Sequence, residues 1–243
     1  MSESYFRPDN LQTAARLIKE HNGKPIYSLF VEKDPLQETV FIDLQNCGLD
    51  FIETSEHSLT FGSAASLQAI LEDENCPPAL QKAIKLEEQL NRRNMISLAD
   101  CILEGDGSSP ILTVLLSMDA KIKTVTDNNL INLGDFLALK DDRLLKSIQI
   151  PNNIVTIYET VSNTPADRPL IGAALTKWES GRVRLALGGT GKAPMLVADG
   201  KGSAGIEKAA SSAYIDAGDF KASKEYRSRM AQLLTIRCLG KLK

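Results

Sequence analysis

The run Pro110-Ile111-Leu112-Thr113-Val114-Leu115-Leu116-Ser117 sets the strongest limit on how this chain folds. It is too apolar to lie at a surface, so the reading is a buried helix with other elements packed around it. The stretch before it, Gly105-Asp106-Gly107-Ser108-Ser109, has the composition of a turn. After it, Ala120, Ile122 and Thr124 alternate with Lys121 and Lys123, the pattern of a half-buried strand.

The remaining elements follow from local signals. Asp9 or Asn10 can cap a first helix carrying Leu11, Ala14, Ala15 and Ile18, which Asn22-Gly23 stops. Ile26–Val31 and Val40–Leu44 read as short buried strands, and Phe51–Thr54 with Leu59–Phe61 as a hairpin. Ser66 caps a short helix, and Pro77-Pro78 opens a longer one carrying Leu80, Ile84 and Leu90. Leu144–Ile150 and Ile154–Val161 are strands on either side of Pro151-Asn152-Asn153, which is taken as a domain boundary. Ala173–Trp178 and Arg182–Leu187 form a hairpin around Glu179-Ser180-Gly181. The last helix is capped by Ser223 and presents Tyr226, Met230, Leu233 and Leu234 on one face. Its many Lys and Arg residues read as a solvated face.

Composition excludes several classes. With 243 residues the chain can bury a large core, and 43% hydrophobic with 24% charged residues is ordinary globular usage. A net charge of −3 gives no electrostatic case for nucleic acid or an acidic membrane surface. No apolar run approaches the ~20 residues that span a bilayer. The opening MSESYFRPDN lacks the basic and apolar regions of a secretory leader, so the expectation is a cytoplasmic protein. Cys47, Cys76, Cys101 and Cys238 are far apart and read as reduced thiols. With His21 and His57 as the only histidines, no metal site is expected.

The stretch Arg93–Ala120 resembles the second flavin-contacting segment of the FAD-binding subunit of molybdenum hydroxylases, the xanthine and carbon-monoxide dehydrogenase family. There an Arg-Asn pair leads into a Thr-Ile-Gly-Gly-Asn turn, an Asp/Ser/Pro loop and an apolar helix ending in Asp-Ala. Here Arg93-Asn94, Asp106-Gly107-Ser108-Ser109-Pro110 and Asp119-Ala120 keep that frame. The similarity extends along the chain through Tyr5-Phe6-Arg7-Pro8, Gly23-Lys24-Pro25, Phe41-Ile42-Asp43-Leu44 and Leu59-Thr60-Phe61-Gly62-Ser63-Ala64. Arg182–Pro194 and Ser223–Leu234 resemble the C-terminal domain of the same subunit. The resemblance implies an α+β fold with a two-lobed FAD-binding core at 1–150 (lobes about 1–50 and 51–150) and a small C-terminal α+β domain at 151–243. It implies a three-stranded antiparallel sheet packed on helices in the last third, and two loops, Pro25–Phe30 and Ser97–Cys101, that face each other across one cleft.

Both loops depart from the family. The first is typically Ala-Gly-Gly-Thr, whose glycines let backbone N–H groups approach a pyrophosphate. Here it reads Pro25-Ile26-Tyr27-Ser28-Leu29-Phe30, and Tyr27 and Leu29 would fill that space. The second reads Ser97-Leu98-Ala99-Asp100-Cys101, without either glycine. A carboxylate ~4 Å from a phosphate charge costs several kcal/mol at intermediate dielectric. For Asp100 the structural alternative is a helix cap or a turn residue. The residues that the resemblance leaves for FAD are Ser28, Arg93, Ser97, Asp106, Ser108 and Ser109. Arg93 competes for that role as an ion-pair partner, and Asp106 to Ser109 as a plain turn.

Other motifs weigh less. Gly200-Lys201-Gly202-Ser203-Ala204-Gly205 is a literal GxGxxG, but no second strand with a ribose-binding acid follows it, so it reads as a surface loop. Gly191-Lys192 is not a P-loop, because Ala193 stands where Ser or Thr is required. Asp141-Asp142 read as a solvated turn and Trp178 as a core residue. Two functions therefore stand. One is an FAD-carrying electron relay between iron–sulfur centres, fed by a molybdopterin subunit, and an acceptor such as NAD or a quinone. The other is a flavin-free relative that keeps the fold as an assembly or interaction module, and a third possibility is a different small ligand in the interlobe cleft.

Overall fold

A computed structural model describes residues 5–28, 39–127, 129–139, 143–165 and 167–242. The first lobe is a parallel sheet in the order β1-β3-β2, made of β1 (Tyr5–Phe6), β2 (Lys24–Ile26) and β3 (Phe41–Asp43). Helix α1 (Leu11–His21) crosses between β1 and β2. Asn10 caps it by accepting from the Thr13 N–H at 2.9 Å, and left-handed Asn22 ends it. Leu29–Val31 of the expected strand lie outside the described residues, as do Asp141 and Asp142.

The second lobe holds β4 (Ile52–Thr54), β5 (Ser58–Gly62), α2 (Leu67–Glu72), α3 (Pro78–Glu87), α4 (Leu90–Arg93), α5 (Leu98–Glu104) and α6 (Pro110–Ser117). It is completed by β6 (Lys121–Thr124), β7 (Leu130–Asn132), α7 (Leu133–Leu139) and β8 (Leu145–Pro151). Its strands form one antiparallel sheet in the order β4-β5-β8-β6-β7. The helix expected to run from Pro78 past Leu90 breaks. Glu88 is extended (φ −143°, ψ 151°), Arg93 Nη1 donates to its carbonyl at 3.0 Å, and Leu90 is left exposed on α4.

The last third contains β9 (Ile154–Val161), β10 (Ile171–Trp178), β11 (Arg182–Gly188), β12 (Met195–Lys201), α8 (Ile206–Ala213) and α9 (Lys224–Lys241). Its sheet is antiparallel as expected but four-stranded, β12-β11-β10-β9, because Ile154–Val161 pairs with β10 and not with β8. Every residue of α6 is buried, between α3 and strands β10 and β11. On those strands Ala174 and Ala186 face the core around α6, while Ala173, Leu175, Leu185 and Leu187 face the core under α8 and α9. Both faces of β10 are covered, which is why it reads as a continuous apolar run rather than an alternation.

An ion cluster ties the second lobe to this sheet. Asp119, in the left-handed region at φ 58°, accepts from Arg184 at 2.6 Å and Arg182 at 2.9 Å, and Asp199 takes the same two arginines at 3.2 and 2.7 Å. Trp178 is not core: it is half-buried with the Arg182 guanidinium 4.8 Å from its ring centre. Helix α9 starts at the Ser223 cap, but the face it buries is Arg227, Ala231, Leu234, Thr235 and Cys238, while Tyr226 and Leu233 are exposed. Gly200–Gly205 runs from the edge strand β12 into an open loop with Gly202 and Gly205 at positive φ.

Candidate functional site

Strand β2 delivers Tyr27 and Ser28 to the cleft opposite the start of α5, so the described part of the first loop, Pro25–Ser28, faces Ser97–Cys101: cavity walls on both sides of Tyr27 include residues of each. Tyr27 is only 2% exposed, and its Oη accepts from the Leu145 N–H at 2.8 Å. Burial pushes its hydroxyl well above the ordinary phenol range, with the Asp100 charge adding to the rise and the Leu145 bond opposing it. The ring is a fixed, neutral partition in the cleft.

Ser97–Asp100 forms a reciprocal cap. Ser97 Oγ accepts from the Asp100 N–H at 3.2 Å, and Asp100 Oδ2 accepts from the Ser97 N–H at 2.8 Å and from Ser97 Oγ at 2.7 Å. The Leu98 N–H goes to Ala65 O and the Ala99 N–H to Ser63 O, both at 3.0 Å, and the Cys101 N–H returns to Ser97 O at 3.4 Å. All five amides of Ser97–Cys101 therefore have acceptors inside the chain. A pyrophosphate here would have to displace these bonds and approach the Asp100 carboxylate, so this loop as it stands does not fit one. Cys101 is buried beside it, and burial, with the Glu87 charge next, holds its thiol well above the usual range and unreactive.

Two cavities flank the Tyr27 partition. The smaller, about 390 Å³, is lined by Arg7, Ser28, Ser66, Asn94 and Ser97 among others. The larger, about 540 Å³, lies between the end of β2, the end of α5, α7 and the β11–β12 turn. The structure thus brings Ser28 and Ser97 to one cavity. Arg93 lies apart, its Nε donating to Gln68 Oε1 and Nη1 to Glu88 O, each at 3.0 Å. Asp106 Oδ1 accepts from the Ser108 N–H at 2.8 Å and Ser108 Oγ at 2.6 Å, closing its own turn. Ser109 is fully buried, caps α6 through the Leu112 N–H, and donates to Glu87 Oε2 at 2.6 Å.

Sequence reasoning missed Glu87, Phe136, Leu137 and Leu103, and saw Lys192 only as a failed P-loop. Glu87 sits on an amphipathic helix where an acid reads as solvated, yet it is buried. It accepts from Ser109 Oγ and from the Ile111 N–H at 3.1 Å, and it pairs with Arg168 at 3.0 Å. Burial raises its pKa, outweighing the lowering by Arg168, Ser109 and the Ile111 N–H. An acid raised on folding binds more protons folded than unfolded, so stability falls as pH rises from the ordinary carboxylate range to the raised value, then levels off. Glu87→Gln is expected to abolish that fall in urea unfolding and to stay within ~1 kcal/mol of wild type at neutral pH, because its amide oxygen can take both donors. Glu87→Ala leaves both donors unpaired and Arg168 with only its longer contact to Glu88 at 3.5 Å, for a loss of about 3 kcal/mol.

Residues 1–153 match the FAD binding domain in molybdopterin dehydrogenase, and the chain belongs to that family. Over nearly its whole length it is also similar to the uncharacterized protein YgfM of Escherichia coli K12, at 24% identity over 245 residues, covering 96% of this chain and 94% of YgfM. Among solved structures it superposes on a chain of the reconstituted CO dehydrogenase from Oligotropha carboxidovorans with a TM-score of 0.80 at 19% identity, covering 99% and 97% of the two chains. It superposes on a chain of quinoline 2-oxidoreductase from Pseudomonas putida 86 with a TM-score of 0.75 at 18% identity, covering 99% and 96%. The fold of this family thus extends across all three parts of the chain. Among the described residues no helix is long and apolar enough to cross a membrane, and no His/Cys/Asp/Glu group could hold a metal ion.

Proposed function

We propose that this chain is a flavin-free relative of the FAD-binding subunit, retained as an assembly or interaction module for iron–sulfur and molybdopterin subunits of a molybdenum hydroxylase. The observation that carries this reading is the saturation of the Ser97–Cys101 amides, with Asp100 Oδ2 accepting from Ser97 as an external anion would. An electron relay through FAD needs those donors for the pyrophosphate, and the Tyr27 partition stands on the opposite side of the same cleft. The fold instead keeps what docking needs, a rigid core with the C-terminal sheet fixed to it by α6 and the Asp119 cluster.

The test is direct. Purified protein is expected to lack the visible absorbance of a flavin, and added FAD to leave its melting temperature unchanged. A ligand at about 100 times its Kd stabilises by ~2.7 kcal/mol, which is roughly 5–10 °C for a chain of this size. Stoichiometric FAD on purification, or a shift of that size, would sink the reading.

A further inference from the structure

Helix α9 packs on α8 and on strands β9 and β10 with a polar and small-residue face. Arg227, Ala231, Thr235 and Cys238 lie inside with Leu234, while Tyr226, Leu233 and Ile236 stay 41%, 38% and 49% exposed. With half-buried Met230 they recur every three or four residues, which is a stripe along one side of the helix. Single apolar side chains at a surface need no partner, but a continuous stripe with a polar rim marks a contact surface.

Two cations stand beside this stripe. Arg229 and Arg237 are exposed, and neither has a partner among the described residues. The acids around them are already matched. Lys241 pairs with Glu159 of β9 at 2.6 Å, and buried Arg227 takes Asp219 at 2.7 Å. Glu225 accepts from the Ser223 hydroxyl next to Lys224. Glu207 is offset by Lys208 on α8 and Asp216 by Lys221 in the following loop, and β10 holds no acid. The two arginines are therefore uncompensated, and they select an acidic partner. A second copy of α9 does not fit. Antiparallel pairing about Leu233 sets Arg229 against the other copy's Arg237, and parallel pairing sets each against itself. An acidic membrane surface fits poorly too, because the chain as a whole carries −3.

We infer that the outer face of α9 docks an acidic amphipathic helix of a partner protein. The partner's apolar side chains lie against Tyr226, Leu233 and Ile236, and its carboxylates pair with Arg229 and Arg237. The inference rests on the interaction-module reading and gives that reading a surface. The probe is an 18-residue helical peptide, the length of α9, with leucines spaced as in the stripe and glutamates flanking them. A second peptide carries lysine in place of glutamate. Each is labelled and titrated with purified full-length protein, with fluorescence anisotropy as the readout. The glutamate peptide is expected to bind with a Kd on the order of 100 μM, and the lysine peptide about tenfold more weakly. Arg229→Glu with Arg237→Glu should invert that preference, and Ile236→Gln should weaken binding of the glutamate peptide about fivefold. The substituted side chains are exposed, so both variants should melt as the wild type does. No binding of the glutamate peptide, equal binding of the two peptides, or a preference unchanged by charge reversal would each overturn the proposal. Self-association of the wild type in sedimentation, or its binding to phosphatidylserine vesicles, would overturn it in favour of a second copy or a membrane if Ile236→Gln abolished either. Failure of the flavin-free reading would show separately, as flavin absorbance in the protein before any titration.

Discussion

Replacing Arg227 with leucine is expected to lower the melting temperature by about 10 °C. The side chain is 0% exposed, and its guanidinium joins three separate segments. Nη1 donates to Leu170 O and, at 3.2 Å, to Gly189 O, while Nη2 donates to Asp219 at 2.7 Å. Leucine fills part of the volume but leaves two buried carbonyls without donors and Asp219 without its cation. Removing one partner of a buried ionic network costs about 3–5 kcal/mol, and each kcal/mol is worth ~2–4 °C at this chain length. Nε has no partner and is buried, so the native site is already imperfect, and the lower half of that range applies. Arg227→Lys should recover only part of the loss, since one ammonium cannot reproduce the planar fork that spans both carbonyls. A differential scanning trace with unchanged melting in Arg227→Leu would mean that the loop at Leu170 and Gly189 is held by its other contacts.

That arginine also marks where the sequence stops being legible. Caps and turns are read from adjacent residues, and Asn10, Asn22, Ser66, Ser223 and Glu179-Ser180-Gly181 act where their chemistry predicts. The enclosure of Pro110–Ser117 follows from its own apolarity. Arg227 and Glu87 do not announce themselves, because a buried charge is set by distant partners: Leu170 and Gly189 for one, Ser109 and Arg168 for the other. Once Arg227 turns inward, the small residues Ala231 and Cys238 follow it to the inner face of α9, and Tyr226 and Leu233 turn out. The cleft is legible by halves. The family frame locates Ser28 and Ser97 at one cavity, whereas the larger chamber is assembled from Lys24, Leu103, Phe136 and Lys192, which no local pattern connects.

The double replacement Ala99→Gly, Asp100→Gly separates the two ways in which this loop opposes a phosphate, charge and lack of donors. Losing the reciprocal cap costs ~1 kcal/mol, and each glycine inside the first turn of α5 roughly another 1 kcal/mol, so a fall of about 5–10 °C in melting temperature is expected. The change frees the Ser97 N–H, which Asp100 holds in the wild type. It leaves the Leu98 and Ala99 amides on Ala65 O and Ser63 O, and it leaves the Tyr27 ring in place. Added FAD should therefore raise the melting temperature of this variant little or not at all, and rescue should need glycines in the first loop as well. Asp100→Asn provides the contrast: the amide oxygen can still accept from Ser97, so stability should drop by less than ~1 kcal/mol while the charge disappears. If Asp100→Asn alone took up stoichiometric FAD, the carboxylate charge would be the whole barrier. The amides of Leu98 and Ala99 would then have to exchange their carbonyl partners for phosphate on binding, and donor saturation would no longer explain the chain's exclusion of the flavin.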